Sequence, residues 1–170
     1  IVYANRYWTY KLDKFRIGNS EELEYHYVHT LGSTMVIPFI SDDRLLMINQ
    51  YRYLNGMESL EFPCGSVEAG ITPEENALKE LREETGYSAQ KIVKIGFFAP
   101  YTGASDEICT VYAAFGLFYS PLEKDITEDF EPVELSVDEL NEKIKNNSIW
   151  DGLTLSAWSL AGSLNFSELK

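Results

Sequence analysis

The sequence predicts a mixed α/β fold of the α+β kind, in which strands are interrupted by isolated helices. The first observation is the order of the segments, because helical stretches stand singly at 72–86, 137–146 and 153–164 among strand-like stretches. A regular alternation of strand and helix would instead predict a parallel sheet. The second observation is length, since 170 residues are enough to bury one hydrophobic core. We therefore expect one domain spanning 1–170.

The first residues of the chain, 1–31, are predicted to form an antiparallel β extension that precedes a core spanning 32–170. Glu22–Leu31 has strand-like alternation, and the residues before it read as short strands. Their apolar anchors are Tyr3, Tyr7, Trp8, Tyr10, Phe15 and Ile17. A small sheet with so many aromatic side chains would expose a large apolar surface if it stood alone.

The strands predicted for the core are short and are separated by polar turns. They span 35–40, 45–53, 59–62, 91–98, 108–118 and 133–135. The pair Asn55-Gly56 is a strong turn signal. Pro63 and Gly65 are expected to end the third of these strands, because proline cannot donate to a sheet ladder.

The helix at 72–86 is marked at both ends. Thr72 is the predicted N-cap, Pro73 is the first helical residue, and Glu75 completes a capping box with Thr72. Gly86 suits the position after the helix, where a left-handed backbone is common. The residues predicted to face the core are Ala77, Leu78 and Leu81.

Three carboxylates are predicted to share one face near the end of this helix. Glu80, Glu83 and Glu84 are three or four residues apart, or adjacent, and such positions are neighbours on a helix. Carboxylates this close repel one another unless a positive charge lies among them. A divalent cation that prefers oxygen ligands would supply that charge. The pattern therefore predicts a site for Mg²⁺ or Mn²⁺, and the ions in turn predict a phosphate group as their ligand.

Charge composition excludes two classes of partner. The chain has 27 acidic and 14 basic residues, for a net charge of −13. Nonspecific binding to nucleic acid needs lysine and arginine to displace counterions, so we expect no nucleic-acid partner. The same balance disfavours docking on anionic lipid, so we expect no membrane partner.

The cysteines and the chain ends indicate a compartment. Cys64 and Cys109 are too few for a disulfide framework, and we expect both to be reduced in the cytoplasm. The longest apolar run, Val111–Tyr119, is too short to span a membrane. The N-terminus lacks the features of a signal peptide. It also lacks a methionine, so we expect residues to precede Ile1, and a targeting segment there stays open.

The order of strand, Pro-Cys-Gly, loop, capped helix and clustered glutamates resembles the Nudix hydrolase family. That family's pattern is Gly, five residues, Glu, seven residues, Arg-Glu-aliphatic-x-Glu-Glu-x-Gly-aliphatic. Here Gly65 opens the pattern, the stretch from Lys79 to Glu84 forms its centre, and Gly86-Tyr87 closes it. Two positions depart, since Ile71 stands for the loop glutamate and Lys79 for the arginine. The resemblance implies a mixed sheet between helices.

Segments outside this pattern look like the subgroup that cleaves ADP-ribose and other nucleotide sugars. They are Gln50-Tyr51-Arg52, 60–65, the loop Tyr101–Glu107, 128–133, Ile149-Trp150-Asp151 and 153–155. The resemblance implies hydrolysis of a nucleoside diphosphate sugar, with ADP-ribose favoured, to a nucleoside monophosphate and a sugar phosphate. It also implies that the extension is exchanged between two subunits of a homodimer.

The resemblance and the chemistry of pyrophosphate hydrolysis assign roles to individual residues. Two or three ions would be held by Glu80 and Glu84, with Glu83, the Cys64 carbonyl and Glu107 as further ligands. Catalysis would use Glu83 and Glu84, with a general base on the acidic loop, at Glu128, Asp129 or Glu131. Substrate would be bound by Arg52, Glu61, Tyr51, Tyr101 and Gly103, with Tyr53 as another possible base platform.

Several alternatives stay open at this point. The substrate could be GDP-mannose, ADP-glucose, a dinucleotide or a nucleoside triphosphate. Ile71 and Lys79 could instead mark a domain that binds nucleotide sugars as a sensor without cleaving them. The glutamates could form a solvated helix face, Arg52 could form a surface or dimer salt bridge, and the tyrosines could serve core or interface packing.

Overall fold

A computed structural model of the chain describes residues 1–123 and 130–164. The strands of the N-terminal extension are β1 (Tyr3–Ala4), β2 (Thr9–Phe15) and β3 (Leu23–His29). The core strands are β4 (Ser33–Pro38), β5 (Arg44–Arg52), β6 (Met57–Glu61), β7 (Cys64–Ser66), β8 (Tyr87–Phe98), β9 (Cys109–Tyr119) and β10 (Glu131–Ser136). The helices are α1 (Pro73–Thr85), α2 (Val137–Lys145) and α3 (Gly152–Ala161).

The described strands form three sheets. The extension is an antiparallel sheet in the order β1-β2-β3, and the order β10-β5-β6 forms a second antiparallel sheet. The third sheet has the order β7-β4-β9-β8, in which β4 and β9 run parallel and the other pairs antiparallel. The predicted mixed α+β fold class is therefore confirmed.

The mixed sheet buries both of its faces, which explains why β4 is an uninterrupted run of buried residues. Because side chains alternate along a strand, Met35 and Ile37 enter one apolar cluster and Val36 enters another. The first cluster also contains side chains of α2, α3 and the β10-β5-β6 sheet. The second contains Ala77 and Leu81 of α1. Helix α1 and the pair α2 and α3 thus cover opposite faces of this sheet.

The predicted capped helix is confirmed in detail. The Thr72 hydroxyl accepts from the Glu75 amide at 3.2 Å, and the Glu75 carboxylate accepts from the Thr72 amide at 2.8 Å. Gly86 has φ of 82°, in the left-handed region, and its amide bonds to the Arg82 carbonyl. Helix α1 therefore begins and ends where the sequence predicts, which fixes the rotation of its carboxylates.

Other predicted boundaries were wrong. A further strand, β7, follows Pro63, where the sequence predicted only the end of the strand at 59–62. Pro63 lacks an amide hydrogen, but its carbonyl accepts from Val36 at 2.9 Å, so the chain continues along the edge of β4. Helix α3 ends at Ala161 rather than Leu164, and β8 begins at Tyr87 rather than Lys91.

The extension is attached to the core by polar contacts rather than by a shared apolar interior. None of residues 1–31 is buried. The Val28 amide donates to the Ala104 carbonyl at 2.8 Å, and His29 Nδ1 lies 2.6 Å from Asp106 Oδ2. The use of 1–31 as a dimerisation element, and the boundary at 31/32, stay predictions.

Candidate active site

A cavity of about 980 Å³ lies between the end of helix α1, the segment that follows β6, and the N-terminal extension. Glu80, Glu83 and Glu84 all line it, together with Lys79. The other lining residues are Asn5–Thr9, His29–Leu31, Cys64–Ala69 and Glu123. The structure therefore brings the three predicted carboxylates to one concave surface, and they do not form a solvated helix face.

The carboxylates stand in the second half of helix α1, where the helix dipole is unfavourable for negative charge. The partial charge of the C-terminal end of a helix is negative, so carboxylates are less stable there than at the N-terminal end. Burial adds to this cost, because Glu84 is 3% exposed and the Glu80 side chain 12%. Groups held against such costs are characteristic of functional sites.

Strand β7 supplies the opposite wall of the acid cluster. The Cys64 amide donates to Glu84 Oε2 at 3.1 Å, which fixes that carboxylate beside the Cys64 backbone. The carboxylate of Glu80 lies directly over Gly65. A Cβ atom at residue 65 would lie 2.1 Å from Glu80 Cδ, so any other residue there would displace this carboxylate from its present position. The glycine that opens the sequence pattern thus makes a cradle for a carboxylate.

Lys79 provides positive charge inside this cluster. Its Nζ lies 2.6 Å from Glu83 Oε2, 3.2 Å from Glu68 Oε1 and 3.9 Å from Glu80 Oε1. Burial acts to lower the pKa of Lys79, but hydrogen bonds to Glu83 and Glu68 and the charge of Glu80 outweigh it and raise the pKa. Lys79 and Glu83 are four residues apart on α1, so this ion pair joins successive turns of the helix.

The donor set fits a hard divalent cation. The carboxylates of Glu68, Glu80, Glu83 and Glu84 line the cavity with one ammonium group, that of Lys79, so the cluster keeps an excess of negative oxygen ligands. Within 1–123 and 130–164, however, no three His, Cys, Asp or Glu side chains already converge in a metal-binding arrangement. Glu83 is instead paired with Lys79, and Glu84 accepts from the Cys64 amide.

Two further predicted acids lie elsewhere. Glu107 does not line the cavity; its Oε1 accepts from the Ser33 hydroxyl at 2.6 Å, at the start of β4. Glu131 is exposed at the start of β10, opposite Asn49. The other two candidates for the general base, Glu128 and Asp129, lie outside the described residues.

Arg52 and Glu61 form an ion pair on the β5–β6 hairpin, and neither residue lines the cavity. Arg52 Nε donates to Glu61 Oε1 at 2.7 Å, and the second guanidinium nitrogen reaches Glu61 Oε2. The hydrogen bond to Glu61 raises the pKa of Arg52 against the opposing effect of burial. Glu61 is 1% exposed, so the guanidinium neutralises a buried carboxylate. Their predicted roles in substrate binding stay predictions.

The predicted base platforms are exposed in the structure. The exposed fractions are 58% for Tyr51, 86% for Tyr53 and 70% for Tyr101. Gly103, in the same loop as Tyr101, accepts through its carbonyl from the Tyr25 hydroxyl at 3.4 Å. None of these four residues lines the acidic cavity, and their contacts with substrate stay predictions.

Sequence reasoning missed two contributors to the site. The turn between β1 and β2 reaches the cavity with Asn5–Thr9, and nothing in a local pattern shows that an N-terminal turn lies beside α1. Asn76 is fully buried between α1 and β4, where its Nδ2 donates to Thr34 Oγ1 at 2.8 Å. An asparagine on the apolar face of a helix was a visible signal, because burying an amide requires partners.

Comparison with known proteins agrees with the geometry. The NUDIX domain family model matches residues 29–155. The chain belongs to the Nudix hydrolase family. This confirms the family resemblance on which the sequence analysis relied. Nudix hydrolases generally use divalent metal ions, which agrees with the donor set of the acidic cavity.

The similarity to two known bacterial proteins covers most of this chain. It is 30% identical to a methanol dehydrogenase activator of Bacillus methanolicus over 92% of its own length and 85% of that protein. It is 27% identical to an ADP-ribose pyrophosphatase of Bacillus subtilis over the same shares, 92% and 85%. A crystal structure of an ADP compounds hydrolase superposes with a TM-score of 0.83 and 21% identity, covering 95% of this chain and 88% of that one, which shows the fold.

Among the described residues, the helices are too short or too polar to be membrane spans.

Proposed function

We propose that this Nudix hydrolase cleaves the pyrophosphate bond of nucleoside diphosphate sugars, with ADP-ribose as the favoured substrate. The observation that carries the proposal is the buried carboxylate cluster at one wall of a cavity of about 980 Å³. A cavity of this size is at the upper end of the range for small-molecule sites, which suits a dinucleotide-sized ligand. The relative named ADP-ribose pyrophosphatase supports the choice of substrate.

The chain's own residues would prepare the reaction in the following way. Glu80 and Glu84, with Glu83 and the Cys64 carbonyl, would hold two or three Mg²⁺ or Mn²⁺ ions. When bound, such ions shield the phosphate oxygens and activate water for in-line attack. Gly65 keeps Glu80 in its cradle, and the Cys64 amide orients Glu84. A carboxylate of the acidic segment, Glu128, Asp129 or Glu131, would accept the proton of the attacking water.

The proposal includes a homodimer in the cytoplasm. Exposed apolar side chains are concentrated in the extension, where Ile1, Tyr3, Tyr7 and Ile17 are each more than half exposed. A second copy of the chain that covers this surface would remove an apolar patch that a monomer leaves in water. Both cysteines are free thiols, which supports a reducing compartment.

A metal-dependent substrate screen tests the proposal. Purified protein is incubated with ADP-ribose, ADP-glucose, GDP-mannose, dinucleotides and nucleoside triphosphates, in Mg²⁺, Mn²⁺ or EDTA, and the products are separated by chromatography. We expect AMP and ribose 5-phosphate from ADP-ribose with either ion and no product in EDTA. Glu84→Gln should lower turnover roughly 10²–10³-fold, and Glu142→Gln, an exposed glutamate of α2, serves as the matched control. Wild type that cleaves none of these substrates would refute the proposal.

A second candidate comes from the relative that is named a methanol dehydrogenase activator. It shares 30% identity over 92% of this chain, so an effect on a dehydrogenase is the alternative that we propose to test. Methanol dehydrogenase turnover would be measured with and without this protein. A rate increase that Glu84→Gln abolishes would connect both candidates to the same site, whereas an increase that survives Glu84→Gln would favour a binding role without cleavage.

A further inference from the structure

The loop between β7 and α1 is anchored to buried parts of the core. The Val67 amide donates to the Gly32 carbonyl at 2.9 Å. The Glu68 amide donates to Asn76 Oδ1 at 3.4 Å, and Asn76 in turn donates to Thr34 Oγ1 at 2.8 Å. Asn76 and Thr34 are both fully buried. The backbone of Glu68 is therefore held against α1 by a polar contact that water cannot easily replace.

This anchoring directs the Glu68 carboxylate towards Lys79. Glu68 Oε1 lies 3.2 Å from Lys79 Nζ, and the same nitrogen lies 2.6 Å from Glu83 Oε2. One ammonium group thus connects a loop carboxylate to a helix carboxylate of the acidic cavity. An exposed ion pair alone contributes little to stability. Here, however, Lys79 also separates carboxylates that would otherwise repel one another along the helix.

The sequence departs from the family pattern at two positions, and one of them, Lys79, is the residue that connects the two carboxylates. Ile71 stands where the pattern has a loop carboxylate, and Lys79 stands where it has arginine. The chain still carries a loop carboxylate, three residues earlier, and that carboxylate contacts the substituted lysine.

We propose that Glu68 and Lys79 are a positioning pair that takes the place of the carboxylate missing at Ile71. The pair fastens the 66–71 loop to α1 and fixes the position of the Glu83 carboxylate at the wall of the cavity. Neither residue acts directly on the substrate. The catalytic consequence rests on the proposed function, whereas the structural consequence does not.

A double-mutant cycle with two readouts tests the pair. The variants are Glu68→Gln, Lys79→Met and both together, with Lys79→Arg as the charge-conserving variant. Metal-free protein is examined by hydrogen exchange at the Val67 and Glu68 amides, corrected for the intrinsic rate of each sequence. We expect exchange at these amides to be about 5-fold faster than in wild type in each single variant. In the double variant it should be no faster than in the single variants. Glu142 and Lys145 form an exposed pair on α2, and the same cycle there should leave these amides unchanged.

Activity provides the second readout. With ADP-ribose and Mg²⁺, kcat should fall about 10-fold in Glu68→Gln and in Lys79→Met, with KM nearly unchanged. The double variant should be no worse than Lys79→Met, and Lys79→Arg should retain most of kcat. Adding Ile71→Glu to Glu68→Gln should restore at least half of the lost kcat, because it moves the carboxylate to the position of the family pattern.

The outcomes separate this proposal from the proposed function. Additive effects on exchange, unchanged exchange in both single variants, or failure of Ile71→Glu to restore kcat would overturn the positioning pair. If wild type cleaves no nucleotide sugar, the proposed function fails, and the exchange cycle alone still decides whether the pair fastens the loop.

Discussion

The core and the N-terminal extension are both rich in aromatic residues, yet they differ in where those residues lie. In the core, Phe62 is fully buried, its amide donates to Thr154 Oγ1, and its ring lies 6.1 Å from that of Trp158. In the extension, Phe15 is 38% exposed and Tyr7 63% exposed. Composition is therefore a poor guide to burial, because some aromatic side chains of the core are fully buried, whereas none in the extension is.

The difference shows what stabilises each region. The core is stabilised by apolar burial on both faces of its mixed sheet. The extension depends on its own ladders and on polar contacts with the 103–106 loop. The core therefore has an apolar interior of its own, whereas residues 1–31 contain no buried residue and leave apolar side chains in water in the single chain.

The largest expected effect comes from truncating a buried ring of the core. Phe62→Ala should lower the free energy of unfolding by about 3–5 kcal/mol, because it leaves a cavity in the apolar cluster that also contains side chains of α2 and α3. Phe15→Ala, the matched truncation in the extension, should change it by less than about 0.5 kcal/mol. Urea denaturation followed by tryptophan fluorescence measures both. Equal losses in the two variants would contradict the contrast between the regions.

Removing the buried amide should have the next largest effect. Asn76→Ala should lower the free energy of unfolding by about 1–3 kcal/mol, because the Thr34 hydroxyl and the Glu68 amide lose their partner in a buried place. Thr34→Val combined with Asn76→Ala should cost less than the sum of the two single changes, since no orphaned hydroxyl remains. Asn55→Ala, in an exposed turn, is the control. Additive losses would show that the two side chains do not act as one unit.

Features of the fold that are caused by neighbouring residues could be predicted from the sequence, whereas features caused by residues distant in sequence could not. Thr72, Glu75 and Gly86 act on neighbouring residues, so the ends of α1 and the shared face of its glutamates were predictable. Strand β7 was not, because Cys64–Ser66 is extended only by pairing with β4, which is distant in sequence.

The same reasoning applies to the site. The carboxylates of α1 were found through local spacing and a known pattern. The approach of Glu68 to Lys79 and the reach of the β1–β2 turn into the cavity depend on tertiary contacts. A salt bridge of Arg52 was open as an alternative. The register places Arg52 opposite Met57 and Glu61 opposite Ile48, so the pairing of Arg52 with Glu61 depends on how the side chains lie along the sheet.

A smaller effect is expected on assembly. In the proposed homodimer, Tyr3→Ser combined with Ile17→Ser should raise the dissociation constant about tenfold, equivalent to 1.4 kcal/mol. These side chains are 57% and 68% exposed in the single chain, so their loss should leave the core's unfolding free energy unchanged. Sedimentation velocity over a range of concentrations measures the shift. Leu54→Ser, which is 94% exposed on the β5–β6 hairpin, is the control. A dimer that weakens equally in both would place the interface outside the extension.

The smallest expected effect concerns the pH dependence of the contact that joins the extension to the core. Burial acts to raise the pKa of Asp106, but hydrogen bonds from His29 and from the Thr30 amide outweigh it and lower the pKa below the usual 3.8. A carboxyl whose pKa is lowered on folding stabilises the folded state above pH 3.8, and this contribution is lost as the pH falls through the lowered value.

Asp106→Asn isolates that contribution, because the amide keeps the shape and can still accept from the Thr30 amide. At pH 5 the wild type should protect the Val28 and Thr30 amides from hydrogen exchange better than the variant. The difference should be only about 0.5 kcal/mol, because the Asp106 side chain is 41% exposed and solvent screens the pair. Below the lowered pKa the two proteins should become equal, since both then carry a neutral side chain at residue 106. A difference that persists after further acidification no longer changes exchange in the wild type would show that shape, rather than charge, joins the extension to the core.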